Sequence, residues 1–375
     1  MPNFIKERLN KLHGISTAID FIYINTMGNV CTNKCYMCPL RTFDGKNTIM
    51  SNETFQKTIL QLKDIGFSGE LHMYAQNEPF LDKHIFEKME FAHKHLPNAG
   101  LAIISNFTVL SDEKIKNIIN SPLKYFSCSI YALKSEPYKA ICGRDNFKLS
   151  FTNQVKFMKE YGKNPKISFA LYLMNDKHNQ DDIEFCKHFI FNIAPIRRAD
   201  FYETFALFNS NHTPPKHNKG YINHCIYDRF QIMNDGDVSL CSIDAGSAMH
   251  IGNINKNSLK ELQNSKQARE IRKRMLADKD KTAYCRWCEF GRMENKFLYF
   301  LPIPQSMRSF LNKRFSSSFR NEHNVKVYTD ENIKQKLVRF NEIFKDGEED
   351  KWLDALENLR QEYYADRDKD AQIRS

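Results

Sequence analysis

The chain has 375 residues, 41% of them hydrophobic and 13% aromatic, which is enough to bury a sizeable core and excludes global disorder. No run of about 18 apolar residues is present, so no membrane-spanning helix is expected and a soluble chain is; the N-terminal stretch also lacks the apolar region of a secretory signal. The formal charge is +10, from 55 Lys and Arg against 45 Asp and Glu, which favours anionic ligands, whether nucleic acid, phosphorylated metabolites or a membrane surface. The basic residues are spread along the chain, with local concentration only around Arg269, Arg272, Lys273 and Arg274 and around Arg308, Lys313 and Arg314, so no nucleic-acid partner is expected.

Residues 1–18 read as an N-terminal helix. From residue 19 onward, short β-rich runs alternate with segments of helical periodicity. The runs 21–25, 70–74, 101–105, 125–130, 167–174 and 199–205 are rich in Ile, Phe, Tyr and Leu, as buried parallel strands are. Between them apolar residues recur at three- and four-residue spacing, as at Phe55, Ile59 and Leu62, at Phe86 and Met89, and at Phe151, Val155 and Met158. Ser51 and Ser111 stand where N-caps are needed. Six β–α repeats of this size predict a parallel sheet with helices outside it, as an open sheet or a partial barrel. The pattern changes near residue 210, where 209–215 is turn-forming. A hairpin over 230–241, turning at Asn234-Asp235-Gly236, and a helix over 258–275 follow. Beyond 296 the chain is apolar over 298–304, basic over 306–319, and then patterned as one or two charged amphipathic helices over 331–364.

The ten cysteines are the most informative feature. A chain without a signal segment is expected in a reducing, cytoplasmic setting, where disulfides are not. Cys31, Cys35 and Cys38 lie just after the first strand, at the end of a parallel sheet where α/β folds build their sites. Three soft donors this close suit a soft metal or an iron–sulfur cluster with one iron left open; zinc is the alternative, although structural zinc takes four ligands. Cys225, Cys241, Cys285 and Cys288 form a second set, which taken alone reads as a zinc ribbon. Cys128, Cys142 and Cys186 have no such spacing and are expected to be small buried hydrophobes.

Cys-x3-Cys-x2-Cys after the first strand of a six-fold β–α repeat resembles the radical S-adenosylmethionine (SAM) superfamily. The resemblance implies a [4Fe–4S] cluster on Cys31, Cys35 and Cys38 whose open iron holds SAM, with Tyr36 and Met37 beside it. Gln76-Asn77-Glu78-Pro79 stands where the family has a Gly-Gly-Glu-Pro-like turn, which assigns Glu78, with Asn77, to the SAM amino group although both glycines are absent. Ser105-Asn106-Phe107-Thr108 resembles a Thr-Asn-Gly turn with Phe in place of Gly. Ser129, Arg144 and Asn175 match polar positions near the SAM ribose, carboxylate and adenosine. The second cysteine set, with Gly236, the Gly252-Asn253-Ile254 run and the following helix, resembles the SPASM/twitch extension of this superfamily. No cysteine follows Cys288, which implies the shorter twitch form with one auxiliary [4Fe–4S] cluster saturated by four thiolates, and the spacing is similar to that of the aminocyclitol dehydrogenase branch in butirosin biosynthesis.

The expected fold is therefore α/β, with a partial (β/α)6 barrel over 19–215, a twitch-type hairpin-and-helix iron–sulfur domain over 216–295 and a basic, helical C-terminal extension over 296–375. The expected chemistry is SAM cleavage to a 5′-deoxyadenosyl radical, hydrogen abstraction, and two-electron oxidation of a small polar substrate, carbohydrate-like or phosphorylated. The second cluster accepts an electron, and a flavodoxin or ferredoxin serves as donor. Arg198, Tyr202 and Glu203, at the sixth strand, are candidates for the base or for substrate binding. A maturase of a ribosomal peptide or protein is the alternative enzyme, and a zinc-stabilised α/β binding protein the alternative outside enzymes. Packing against the core is the default role for the tail, ahead of contact with a membrane surface.

Overall fold

Where the sequence crowds Ile, Leu, Phe and Tyr into short runs, the chain forms strands, and the apolar residues spaced by three and four form the helices between them. The computed structural model describes residues 3–28, 30–38, 48–203, 221–223, 225–242, 244, 248–278, 293–295 and 326–374. In chain order the first elements are α1 (Asn3–Leu12), β1 (Phe21–Ile24), α2 (Asn52–Asp64), β2 (Glu70–His72), α3 (Ile85–His95), β3 (Gly100–Ser105), α4 (Asp112–Asn120) and β4 (Tyr125–Ile130). Then come α5 (Ser135–Cys142), α6 (Phe147–Lys163), β5 (Ser168–Asn175), α7 (Ile183–His188), β6 (Arg198–Glu203), β7 (Tyr221–Asn223), α8 (Cys225–Asp228) and β8 (Arg229–Ile232). The last are β9 (Asp237–Ser239), β10 (His250–Asn253), α9 (Leu259–Gln263), α10 (Lys266–Ala277), β11 (Met293–Asn295), β12 (Lys326–Val327), α11 (Asp330–Ile343) and α12 (Trp352–Arg374). The fold is mixed α/β with an open sheet: the six β–α repeats of a partial barrel, then a hairpin-and-helix segment, then a helical C-terminal part. No helix among the described residues is long and apolar enough to cross a membrane.

The described chain divides into two compact units. The first comprises Met1–Cys31, Met37–Ile103 and Phe205–Asn321, and its strands run in the order β10-β9-β8-β1-β2-β3. β8 joins β1 in parallel, with Phe21 opposite Arg229 and Tyr23 opposite Gln231, while β8, β9 and β10 are antiparallel. Strand alternation separates two faces. Ile22, Ile24, Leu71, Met73, Leu101, Ile103, Phe230 and Ile232 make an apolar face that is sealed from solvent. Each such side chain contributes roughly 1.5–3 kcal/mol by its burial. Phe21, Tyr23, Glu70, His72, Arg229 and Gln231 share the opposite, polar face.

The second unit comprises Thr32–Tyr36, Ile104–Thr204 and Glu322–Ser375, with strand order β4-β5-β6-β12. β4, β5 and β6 are parallel, and the two-residue β12 closes the β6 edge antiparallel. Its core is aromatic. Phe107 packs against Phe126, Phe157 and Phe169 at centroid distances of 5.3, 5.5 and 6.1 Å. Phe344 of the C-terminal segment meets Phe151 at 5.7 Å and Trp352 at 6.4 Å.

The strands fall within a residue or two of their expected bounds, with residue 205 outside the described chain. Ser51 and Ser111 cap α2 and α4 through hydrogen bonds from the Thr54 and Lys114 amides. The helix expected over 258–275 is broken in two. Ser258 and Glu261 form a capping box for α9, and Ser265 then caps α10 by accepting from the Ala268 amide, so the chain restarts rather than continues at Asn264. The tail expectation over 331–364 resolves into two helices, the second running on to Arg374. The turn-forming 209–215 and the stretches 298–304 and 306–319 lie outside the described residues.

Candidate metal centres

Cys31, Cys35 and Cys38 lie in the loop that leaves β1; Cys35 is 8% exposed and the other two are half-buried. Within the second unit the Thr32–Tyr36 stretch is strapped to the end of α5. The Lys34 and Tyr36 amides donate to the Cys142 and Ile141 carbonyls at 2.7 and 3.0 Å. Asn146 Nδ2 donates to the Thr32 carbonyl at 3.2 Å and to Asn33 Oδ1 at 2.9 Å, and Asn33 Nδ2 donates to the Tyr138 hydroxyl at 3.0 Å. Gly143 ends α5 with φ +64°, and a Cβ there would sit 2.6 Å from the Lys34 carbonyl oxygen. The helix end therefore approaches the cysteine loop as closely as only glycine permits.

None of the eight described cysteines is in a disulfide. Among the described residues no three of His, Cys, Asp and Glu are drawn together as ligands of a single bare ion. Three soft thiol donors in one short loop, without a fourth protein donor among the described residues, nevertheless fit a [4Fe–4S] group with one iron left for a non-protein ligand.

The residues assigned to SAM by resemblance are placed as follows. Glu78 is 1% exposed and caps the Pro79–Leu81 turn, its Oε1 accepting from the Phe80 amide at 3.3 Å. Its own amide donates to the Val30 carbonyl at 3.0 Å, tying this turn to the cysteine loop. Asn77 Oδ1 accepts from the Ala75 amide, whereas its Nδ2 is buried with no partner among the described residues. Ser105 Oγ accepts from the Phe107 amide at 3.0 Å. Asn106 accepts from Thr108 and donates to Thr32 Oγ1 at 3.0 Å, so its amide braces the loop that carries Cys35. Phe107 adopts φ +64°, the left-handed conformation that favours glycine, with its ring fully buried.

Tyr36 donates its hydroxyl to Asp176, and burial together with that carboxylate holds its pKa above the ordinary phenol value. Met37 is buried and Ser129 is half-buried on β4. Asn175 Oδ1 accepts from Gln180 Nε2, and Arg144 is exposed. On β6, Arg198, Tyr202 and Glu203 pair in register with Ala170, Met174 and Asn175; the Tyr202 and Glu203 side chains are outside the described residues. Cys128, Cys142 and Cys186 are fully buried, and burial pushes the Cys186 thiol well up from its ordinary value.

In the first unit Cys225 opens α8 and Cys241 follows β9, each 8% exposed; Cys285 and Cys288 lie outside the described residues. The Cys241 amide donates to Ser239 Oγ at 3.3 Å, and Ser239 Oγ donates to the buried Asp244 at 2.6 Å. Gln231, fully buried, turns its amide nitrogen to the Cys241 and Ser242 carbonyls, each at 2.8 Å, and its oxygen to Gln76. This glutamine pair links the turn that carries Glu78 to the loop that carries Cys241. Arg229 lies on the same strand. Burial works against its charge, but the Cys225 thiolate, then Tyr23 and Asp228, outweigh burial and raise its pKa.

Sequence reasoning missed the polar face of β8-β1-β2. Its signal was the alternation itself, with Phe21, Tyr23, Glu70, His72 and Tyr74 interleaved with Ile22, Ile24, Leu71 and Met73. Tyr23 stacks on His72 at 4.4 Å, and the His72 Nδ1–Tyr74 hydroxyl distance is 3.1 Å. His72 Nε2 lies 3.2 Å from Glu70 Oε2. Glu70 thus faces Nε2, which assigns the ring proton there and leaves Nδ1 to accept from Tyr74. Burial lowers the His72 pKa, keeping the ring neutral. Asn25 follows β1 with its amide on the Ile232 carbonyl, continuing the ladder on the face of Tyr23. It is fully buried, and neither polar atom of its side chain has a partner among the described residues.

The model of the radical SAM superfamily matches residues 25–190, and that of an iron–sulfur cluster-binding domain, SPASM, matches residues 224–289. Among solved structures the chain is similar to BtrN in complex with AdoMet and 2-DOIA, at 15% identity over 74% of this chain and 95% of that one, with a TM-score of 0.50. It is similar to Streptococcus suis SuiB bound to S-adenosylmethionine, at 16% identity over 76% of this chain and 75% of that one, with a TM-score of 0.55. Native anSMEcpe with bound AdoMet matches at 14% identity over 90% of this chain and 99% of that one, also at 0.55. At these identities the likeness is one of fold. No curated protein matches the sequence.

Proposed function

We propose, on the premise that the chain is a radical SAM enzyme with an auxiliary iron–sulfur domain and so uses [4Fe–4S] clusters and SAM, that it is an oxidoreductase acting on a small polar substrate. The substrate class is carbohydrate-like or phosphorylated, and the net reaction is a two-electron oxidation. When bound, the cofactors supply a hydrogen-abstracting 5′-deoxyadenosyl radical and an electron acceptor. Cys31, Cys35 and Cys38 hold one cluster; Cys225, Cys241, Cys285 and Cys288 hold the other. Glu78 and Asn77 bind the SAM amino group. Tyr36, Met37, Ser105, Asn106, Ser129, Arg144 and Asn175 line or brace the rest of the SAM site. The domain boundaries assigned are 19–215, 216–295 and 296–375.

The observation that carries the substrate class is the polar face of β8-β1-β2. The two buried polar atoms of the Asn25 side chain, without a partner among the described residues, suit a ligand with hydroxyl, amine or carbonyl groups. Three adjacent strands and two or three residues along each span roughly 10 by 7 Å, the footprint of one sugar-sized ring. Tyr74 takes the proton leaving the substrate hydroxyl while its own passes to His72 Nδ1, and Glu70 steadies the imidazolium that results. Arg198, Tyr202 and Glu203 remain the candidates on β6. A flavodoxin or ferredoxin is the reductant this chemistry needs, and its cysteine usage suits the cytoplasm.

A peptide substrate is the second reading, since the similar structures include SuiB bound to precursor peptide SuiA. The experiment begins with anaerobic protein, SAM and dithionite, where 5′-deoxyadenosine release that depends on Cys31, Cys35 and Cys38 is expected. A deuterated low-molecular-weight polyol and sugar phosphate pool then transfers deuterium to deoxyadenosine if the reading holds. Transfer only from a peptide pool would overturn it.

A further inference from the structure

Lys34, Lys139, Arg144 and Lys148 gather where the end of α5 and the start of α6 meet the cysteine loop of the second unit. All four are exposed, and among the described residues none of them is in an ion pair. Farther along α6 the pattern reverses: Lys156, Lys159 and Lys163 pair with Asp112, Asp346 and Glu160 at 2.9, 2.6 and 2.7 Å. Backbone contacts hold the four cations near one another. The Lys34 amide donates to the Cys142 carbonyl, a Cβ on Gly143 would stand 3.3 Å from the Lys34 Cβ, and the Gly143 amide donates to the Lys139 carbonyl at 2.8 Å. Arg144 comes next in the chain. Asn146, the N-cap of α6 and two residues ahead of Lys148, donates to the Thr32 carbonyl. Two carboxylates share this stretch: Glu136 in the first turn of α5, and Asp145, whose Oδ1 accepts from Ser135 Oγ.

The stability of the unit does not account for these choices. Lys148 stands in the first turn of a 17-residue helix that has no acidic residue there and no side-chain cap, where a cation opposes the helix dipole. Leu149 beside it is 51% exposed. Unpaired cations with an exposed apolar side chain among them are the makeup of a surface for an acidic partner. The loop they border carries Cys35, and electron transfer slows steeply with distance, so an electron bound for a cluster on that loop has its shortest entry here. We infer that this surface docks a small acidic electron-transfer protein beside the Cys35 loop. This rests on the reading of Cys31, Cys35 and Cys38 as the ligands of the SAM-cleaving cluster. A patch of a few cations suits the small, charge-steered encounters of redox partners. It is too short to follow a nucleic-acid backbone, because α6 turns to paired charges beyond its first turns.

The test uses anaerobic holoenzyme and flavodoxin, a probe of net negative charge. Lys139→Glu with Lys148→Glu is the patch variant, which leaves Arg144, a cofactor candidate, untouched. Lys116→Glu with Lys166→Glu, at exposed positions of the same unit, is the charge-matched control. Flavodoxin affinity, read by isothermal titration calorimetry at low salt, should fall about tenfold or more in the patch variant and stay near the parent value in the control. Added salt should weaken the parent complex. Release of 5′-deoxyadenosine driven by reduced flavodoxin should fall with the affinity, whereas release driven by reduced methyl viologen, a small cation, should hold. Equal losses with both reductants, equal losses in both variants, or a parent that does not bind flavodoxin would overturn the inference, while viologen-driven release keeps the cluster reading standing. A patch variant that loses binding to phosphatidylserine vesicles but keeps its flavodoxin affinity overturns it too, in favour of a membrane. A parent that binds flavodoxin through the patch yet releases no deoxyadenosine with either reductant overturns the cluster reading alone.

Discussion

Arg360 Nε donates to Asp182 Oδ1 at 2.9 Å, with 4% and 2% of the two side chains exposed, and so joins α12 to the turn ahead of α7 across 178 residues of sequence. A second arm, Nη2, reaches the Leu133 carbonyl. Removing Arg360 leaves the buried Asp182 carboxylate with only Lys134 Nζ, 3.9 Å away, to offset its charge. Arg360→Met is therefore expected to destabilise the chain by about 3–5 kcal/mol. Urea unfolding followed by far-UV circular dichroism measures it, and Asp182→Asn in the same background should recover part of the loss.

Gly143 makes a sharper prediction about the cysteine loop. Gly143→Ala places a methyl against the Lys34 carbonyl and adds the left-handed backbone cost of roughly 1–2 kcal/mol. The strap from Lys34 and Tyr36 to α5 should loosen before the unit unfolds. Iron content is expected to fall from about eight to about four per chain with little change in helicity. An unchanged iron count would show that the close approach does not shape the site.

Glu78 carries two roles that one substitution separates. Glu78→Gln keeps an oxygen to accept from the Phe80 amide but loses the charge. Thermal stability should hold, while SAM affinity falls about ten- to hundredfold, the worth of one charge-assisted hydrogen bond. Equilibrium dialysis with labelled SAM on anaerobic enzyme reads it directly.

His72 gives the chain a pH signature. Burial lowers its pKa from 6.5, Arg229 acts in the same direction and Glu70 opposes; Tyr23 and Tyr74 are the other groups that face the ring. The unfolded chain therefore takes up this proton more readily than the folded one. Stability from His72 is fully present above pH 6.5 and is lost as pH falls through the depressed folded value. Unfolding free energy should decline on the acid side of 6.5 with a slope of at most about 1.4 kcal/mol per pH unit from this group, and His72→Gln should flatten it.

The sequence made the strands legible because buried parallel strands are compositionally distinctive, and it made the cysteine sets legible because thiol spacing is. Less of the cofactor site could be read. Asn106 matches a family position, yet its amide is engaged with Thr32 and Thr108, a relation between loops that lie far apart in the chain. Phe107, where the resemblance leads one to expect glycine, has a left-handed backbone; its ring among Phe126, Phe157 and Phe169 offsets the strain. His72 and Asn25 were invisible as site residues because a lone histidine or asparagine in a strand carries no motif. Only the register that sets Tyr23 beside His72 and Gln231 gives them a shared face.

The second unit counts Thr32–Tyr36 among its first members and Glu322–Ser375 among its last. On the ribosome, the turn bearing Cys35 is synthesised about 300 residues before Trp352 and Arg360, which seal the same unit. The unit closes only once α12 has been made, so Cys35 passes through an interval of exposure to oxygen before its surroundings are complete. Assembly is thus a race between iron delivery and oxidation whose length is set by a distant downstream segment. A substitution that slows the docking of α12 should lower iron occupancy at the Cys35 loop.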